Sequence, residues 1–241
     1  MKIITLNIWA GIVGPQLIEF FKEKQDIDIF CLQEVMHEAT EWTNWDDRQK
    51  RNILTDISAI LPHHAVYYRP AERGEWGLAI FVKNTISIVD EGEIFVHLKK
   101  DGMEEKNPLT VGKNLQWMHI GNKNVTICNF HGLWNGNGKT DTPDRIQQSK
   151  NIVNFLQTVT GKIILLGDFN LLPHTESLSM IEDFGLRNLV KEYGINSTRT
   201  SYYTKPDKYA DYILVSDGIE VKDFKVLPDE VSDHSPLLIE I

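Results

Sequence analysis

Apolar runs in this chain are short, and five of them stop on a polar residue suited to metal or phosphate chemistry: Asn7, Glu34, His131, the Asp168/Asn170 pair and the Asp233/His234 pair. Strands of a buried sheet stay apolar until they leave the core, so polar residues at several termini place those groups on one rim. Candidate strands cover residues 3–9, 27–33, 77–82, 86–90, 116–120, 126–130, 163–167, 210–215 and 236–241, each bounded by Gly, Asn, Asp or Pro. Helical spacing appears between them. Residues 15–24 bring Leu17, Phe20 and Phe21 together behind Pro15, 48–61 aligns Ile53, Ile57, Ile60 and Leu61 before Pro62, and 143–159 aligns Ile146, Ile152, Val153 and Leu156. A shorter helix is expected over 175–183, with Gly185 suited to its C-terminal cap.

The order is βαβα, then a run of strands, then helices alternating with strands. That fits helices packed outside paired sheets better than a doubly wound dinucleotide fold, and no G-x-G-x-x-G or Walker A loop is present. With 241 residues, 41% hydrophobic and 24% charged, one large α/β domain over 1–241 is expected. The formal charge of −9 argues against a protein that coats nucleic acid nonspecifically, which needs clustered Lys and Arg. No stretch is long enough to span a bilayer, so no stable membrane insertion is expected. The opening Met1-Lys2-Ile3-Ile4-Thr5 lacks the apolar region of a signal peptide; a cytoplasmic location follows, with a trimmed secreted form left open. Cys31 and Cys128 sit in apolar runs and read as buried thiols. Segments 99–114 and 135–145 read as surface loops, as does His63-His64.

Leu165-Leu166-Gly167-Asp168-Phe169-Asn170 ends a strand with an acid and an amide two positions apart, hence on one face; an Asp/Asn turn is the plain alternative. Asp233-His234 offers a metal ligand or base beside a phosphate-binding imidazole; taken alone, a solvated loop is the plain reading. Asp211, set among apolar neighbours, needs a partner that His234 would supply. Glu34 with Asn7 nearby suits Mg²⁺, which takes one or two protein carboxylates and keeps several waters; an ordinary strand-end carboxylate with a capping amide is the alternative. A carboxylate on His131 would fix its tautomer and keep it protonated near neutral pH, and Glu75 is the candidate; a satisfied edge histidine is the alternative.

The ordered set Thr5-Leu6-Asn7, Leu32-Gln33-Glu34, Gly77-Leu78-Ala79, Asn129-Phe130-His131-Gly132, Gly167-Asp168-Phe169-Asn170, Asp211-Tyr212-Ile213 and Ser232-Asp233-His234 resembles the endonuclease/exonuclease/phosphatase superfamily, the deoxyribonuclease-I-like fold. The resemblance implies a four-layer α/β/β/α sandwich, two packed mixed β-sheets flanked by helices, with the site at the strand ends. It implies Glu34 as the principal Mg²⁺ ligand, Mn²⁺ being an alternative ion, with Asn7 helping and Asp233 near the metal. Asp168 would align or deprotonate the attacking water, and Asn170 would steady the phosphoryl oxygens. His234, oriented by Asp211, would donate to the transition state. His131 would contact phosphate or donate a proton, with Glu75 supporting it as in the pancreatic nuclease branch.

The activity implied is Mg²⁺-dependent phosphoester hydrolysis, with a phosphodiester of nucleic acid or a nucleotide-like compound first. A phosphomonoester or a phospholipid headgroup is the alternative, and an inactive binding module would require the loss of a motif residue. Duplex-cutting branches often carry Lys or Arg two places after Gln-Glu, where this chain has Met36. Trp9, Trp76 and Trp134 lie beside the motifs, and Trp134 is a candidate for stacking a base or meeting a lipid headgroup, with core packing as the alternative. Arg145 is a candidate phosphate contact at the rim, or a surface arginine at a helix start.

Overall fold

The computed structural model describes residues 1–40, 46–102 and 111–241. Among them, twelve strands form two six-stranded mixed sheets. The first contains β1 (Lys2–Asn7), β2 (Ile29–Met36), β3 (His64–Glu72), β4 (Trp76–Lys83), β11 (Asp223–Val226) and β12 (Leu237–Glu240), in the order β11-β12-β1-β2-β4-β3. The second contains β5 (Ile88–His97), β6 (Lys113–Ile120), β7 (Val125–His131), β8 (Lys162–Asp168), β9 (Leu186–Asn188) and β10 (Asp211–Ser216), in the order β5-β6-β7-β8-β10-β9. One central pair in each sheet is parallel, β1 with β2 and β7 with β8.

Period-two alternation sorts the side chains. Ile3, Ile29 and Cys31 face the second sheet and join Ile127, Leu166 and Ile213 in the core between the sheets. Their neighbours Ile4, Leu6, Phe30 and Leu32 face outward, where α1 (Pro15–Glu23) contributes Leu17, Phe20 and Phe21, and α2 (Ile53–Ile60) contributes Ile53 and Ile57. On the other side, α3 (Pro143–Leu156) and α4 (Glu176–Asp183) bury Ile152, Leu156, Leu178 and Ile181. A short α5 (Leu189–Glu192) follows β9. The expected α/β sandwich of two packed mixed sheets with helices outside is the fold found. No described helix is long and apolar enough to cross a membrane.

Some elements depart from expectation for a physical reason. His64 does not lie in a loop; it opens β3, an edge strand whose residues are mostly half-buried or exposed and which carries Pro70, so no apolar run marks it. β5, also an edge strand, extends to His97 through Glu91 and Glu93, beyond the expected 86–90. Of the expected loop 99–114, residues 103–110 lie outside the described residues, while Lys113 and Asn114 begin β6. The helix expected over 48–61 is shorter, with α2 starting at Ile53.

The inner faces turn polar toward one end. Along β1 the inward series is Ile3, Thr5, Asn7; along β2 it is Ile29, Cys31, Gln33. Gln33 Nε2 donates to Thr5 Oγ1 (3.0 Å) and Asn129 Oδ1 (2.7 Å), and Asn129 Nδ2 donates to the Leu32 carbonyl (3.1 Å). This buried ladder ties the sheets together directly beneath the strand ends.

Candidate active site

Strand register assembles most of the cleft. Across the second sheet, His131 on β7 and Asp211 on β10 both pair with Asp168 on β8, so three titratable side chains lie in one row. The row is kept tight by backbone contact: a Cβ on Gly132 would meet the Phe169 carbonyl oxygen at 2.1 Å, so no larger residue fits. From the first sheet, Asn7 ends β1, and an irregularity in β2 between Leu32 and Val35 puts Glu34 at φ 56°. That positive φ breaks the alternation and directs Glu34 into the cleft.

Asn7 Nδ2 donates to Glu34 Oε1 (2.9 Å) and Asp168 Oδ2 (3.0 Å), bridging carboxylates from opposite sheets. Its Oδ1 accepts from the Trp9 amide (2.9 Å), so the amide nitrogen faces the acids. His131 Nε2 lies 3.8 Å from Glu34 Oε1 and 3.7 Å from Asp168 Oδ2. His234 Nε2 lies 3.6 Å from the same Asp168 oxygen and 3.7 Å from Asp233 Oδ1. Its Nδ1 sits 2.8 and 2.9 Å from the two Asp211 oxygens, and Asp211 also accepts from Thr198 Oγ1 (3.0 Å). Asp168 Oδ1 accepts from the Asn170 amide (2.9 Å), while Asn170, at φ 52°, donates its side chain to the Gly132 carbonyl (3.3 Å).

Electrostatics are dominated by burial. Glu34 is pushed up to about 7 by desolvation, opposed by its Asn7 bond and reinforced by Asp233 and Asp168. Burial raises Asp211 to about 6, and burial with the Arg199 charge lowers His234 to about 4. His131 is driven well below the ordinary imidazole value by burial and then by Lys113. Acids crowded together with neutral imidazoles form an environment that a cation would relieve.

The donor set fits a divalent ion. The ligand atoms of Glu34, His131 and Asp168 lie within 4.8 Å of one another, as do those of Asp168, Asp211 and His234. The first group suits an ion better, because in the second His234 and Asp211 already satisfy each other. Asp233 stands beside this group, with Oδ2 held by Arg199 Nη1 at 2.9 Å.

Two expected placements are corrected. Glu75 does not hold His131: its Oε1 accepts from the amide and hydroxyl of Thr40, both at 2.9 Å, and His131 Nδ1 has no partner among the described residues. The imidazole instead packs on Trp76, with ring centroids 5.3 Å apart, and nothing there keeps it protonated. Arg145 is not at the rim. Its fully buried guanidinium donates to the carbonyls of Leu133 (3.3 and 3.2 Å), Thr140 (2.6 Å) and Gly138 (2.6 Å), tying down the segment that carries Trp134. Trp134 is half-buried, with Lys205 Nζ 5.1 Å from its ring centre.

Three cations near the cleft have no signature in the sequence. Lys113 is buried with its Nζ 4.7 Å from the centre of Trp76, and it is lowered to about 8 by burial, against the pull of Glu34 and Asp168. Arg199 reaches Asp233 because its backbone bridges to His234. Lys139 is buried and donates to the Tyr209 carbonyl (2.9 Å).

Two packed mixed sheets gather carboxylates, amides and imidazoles at one rim, where they form a candidate site for a divalent ion. The chain belongs to the Endonuclease/Exonuclease/phosphatase family, whose model matches residues 4–234 and whose members are phosphoester hydrolases. The fold is similar to that of the mannosyl-6-phosphatase of Bacteroides thetaiotaomicron VPI-5482, with 18% identity, a TM-score of 0.75, and coverage of 100% of this chain and 98% of that one. The human nocturnin catalytic domain with bound sulfate anion is 18% identical over 99% of this chain and 92% of that chain, with a TM-score of 0.65. Humanized D. rerio TDP2 is 10% identical over 99% and 97%, with a TM-score of 0.71. Among curated proteins, none matches this chain.

Proposed function

We propose that this chain is a Mg²⁺-dependent phosphoester hydrolase that directs water in line at phosphorus, with a phosphodiester of nucleotide-like character as its first substrate class. The carrying observation is the convergence on one Asp168 oxygen of Asn7 from the first sheet at 3.0 Å, His131 from β7 at 3.7 Å and His234 from the C-terminal motif at 3.6 Å. Glu34, with Asp168 and His131, would hold the ion, Mn²⁺ serving in place of Mg²⁺. When bound, the ion supplies positive charge against the phosphoryl oxygens.

The side chains divide the remaining work. Asp168, oriented by the Asn170 amide and Asn7, accepts a proton from the attacking water. His234 is fixed through Nδ1 by Asp211 and presents Nε2 to the cleft. An arriving phosphate raises the affinity of that nitrogen for a proton, which it then donates to the developing negative charge. His131 presents Nε2 from the opposite side, and the Asn170 side chain lies beside it.

One observation favours a compact substrate over a duplex. Met36 is buried inside β2 rather than displayed along a groove. The similarity to a mannosyl-6-phosphatase supports a phosphomonoester as the second reading. A panel of dinucleotides, single-stranded and duplex DNA, RNA, sugar phosphates and sphingomyelin, assayed with Mg²⁺ or Mn²⁺, tests the reading with Asp168→Asn as the blank. Turnover by the unmodified chain alone, lost on chelation, is expected. Chelator-resistant turnover, or equal turnover by Asp168→Asn, would reject it.

A further inference from the structure

The wall beside His234 contains more hydrogen-bond donors than acceptors. Arg199 and Lys139 both lie over the ring of Tyr203, the guanidinium carbon 4.1 Å and the ammonium 4.9 Å from its centre. Both are buried, the Arg199 side chain being 4% exposed and Lys139 2% exposed. Arg199 spends Nη1 on Asp233, but its buried Nε has no acceptor. Lys139, with three N–H groups, donates one to the Tyr209 carbonyl and has no carboxylate within ion-pair distance among the described residues. Burying two like charges beside one ring is costly unless an anion joins them. Burial and the Arg199 charge accordingly lower Lys139 to about 8.

The chain places this wall next to the reacting centre. Arg199 bridges to His234 through the backbone, and the carbonyl that holds Lys139 belongs to Tyr209, two residues before Asp211. Lys205, two residues after Tyr203, lies over the ring of Trp134. Tyr203, half-buried, gathers the two cations on its ring.

We propose that Lys139 and Arg199, gathered on Tyr203, bind a second phosphate of the substrate, one that is not hydrolysed. This rests on the phosphoester-hydrolase reading of the adjoining cleft and names a substrate class for it: small compounds with two phosphate groups. The second phosphate supplies acceptors to Arg199 Nε and to the remaining Lys139 donors, and it gives Lys139 the anionic partner that Arg199 already has in Asp233. The net negative charge of the chain makes such a local basic pocket selective rather than generally attractive to polyanions.

Calorimetry on the full chain with saturating Ca²⁺ tests this, using adenosine 5′-monophosphate against adenosine 5′-diphosphate and adenosine 3′,5′-bisphosphate. The two diphosphorylated probes separate an adjacent second phosphate from a distant one. At least one should bind roughly tenfold or more tightly than the monophosphate, the gain of one charge-assisted contact set. Lys139→Met and Arg199→Gln should each shrink that advantage below about threefold, while Lys139→Arg should keep it. A merely structural role would weaken all three ligands alike and overturn the proposal. So would an unmodified chain that binds mono- and diphosphorylated probes equally, a result available even if a variant fails to fold. Preference without any phosphoester turnover would support the pocket and reject the hydrolase reading; turnover without preference would do the reverse.

Discussion

Glu34 carries a charge that the cleft disfavours. Its folded value of about 7 exceeds the ordinary 4.5, so the folded state holds the proton better than the unfolded chain does. The penalty therefore sets in as pH rises from about 4.5 and is complete above about 7, unless a cation binds the ionised carboxylate. Mg²⁺ should raise the melting temperature more at pH 8 than at pH 5.5, as read by thermal denaturation; equal increments would contradict this. For turnover, Asp168→Ala and His234→Ala should each lower kcat by about a hundredfold or more in a metal-replete assay. Near-normal rates would remove those residues from the reaction. Asn7, Glu34, His131 and Asp168 were legible in the sequence because each closes an apolar run, Asp211 because it opens one, and His234 because it stands beside an acid just before the last strand. Lys113, Lys139 and Arg199 were not, since each lies in a polar segment where a charged residue ordinarily faces water. Glu75 misled for a local reason: it adjoins β4 in sequence, yet its carboxylate turns to Thr40.

At the scale of elements, strand ends fix where the polar groups stand, and loops are held by buried side chains rather than by their own composition. The segment between β7 and α3 shows this, for Arg145 on α3 binds carbonyls of Leu133, Gly138 and Thr140. Arg145→Met strands those carbonyls and should cost about 3 kcal/mol or more in denaturant unfolding. The protein that stays folded should keep its substrate KM to within about threefold, since no guanidinium contact to substrate is lost. A large KM rise at unchanged stability would return Arg145 to the rim. Central strands such as β1, β2, β7 and β8 could be read from the sequence because burial on both faces makes them apolar. Edge strands β3 and β5 were hidden or truncated because half of each faces water, and β9 and β11 because three or four residues leave no period to detect.

For the whole molecule, the order of helices and strands was enough to indicate two packed sheets, whereas strand order and register depend on contacts far apart in sequence. β1 pairs with β12 as well as with β2, so the first and last strands are neighbours. Asn7 and the Ser232-Asp233-His234 motif thereby reach the same rim, where Asp168 of the second sheet meets both. The central claim is that both sheets contribute ligands to one ion, Glu34 from the first and Asp168 and His131 from the second. Calorimetric titration of Mn²⁺ into the full chain at pH 8, repeated with Glu34→Gln and Asp168→Asn, tests it most directly. Saturable binding to the unmodified chain is expected, weakened by each substitution by at least the roughly tenfold typical of losing an outer partner. Binding that both variants retain unchanged, or an unmodified chain that takes up no ion, would contradict it.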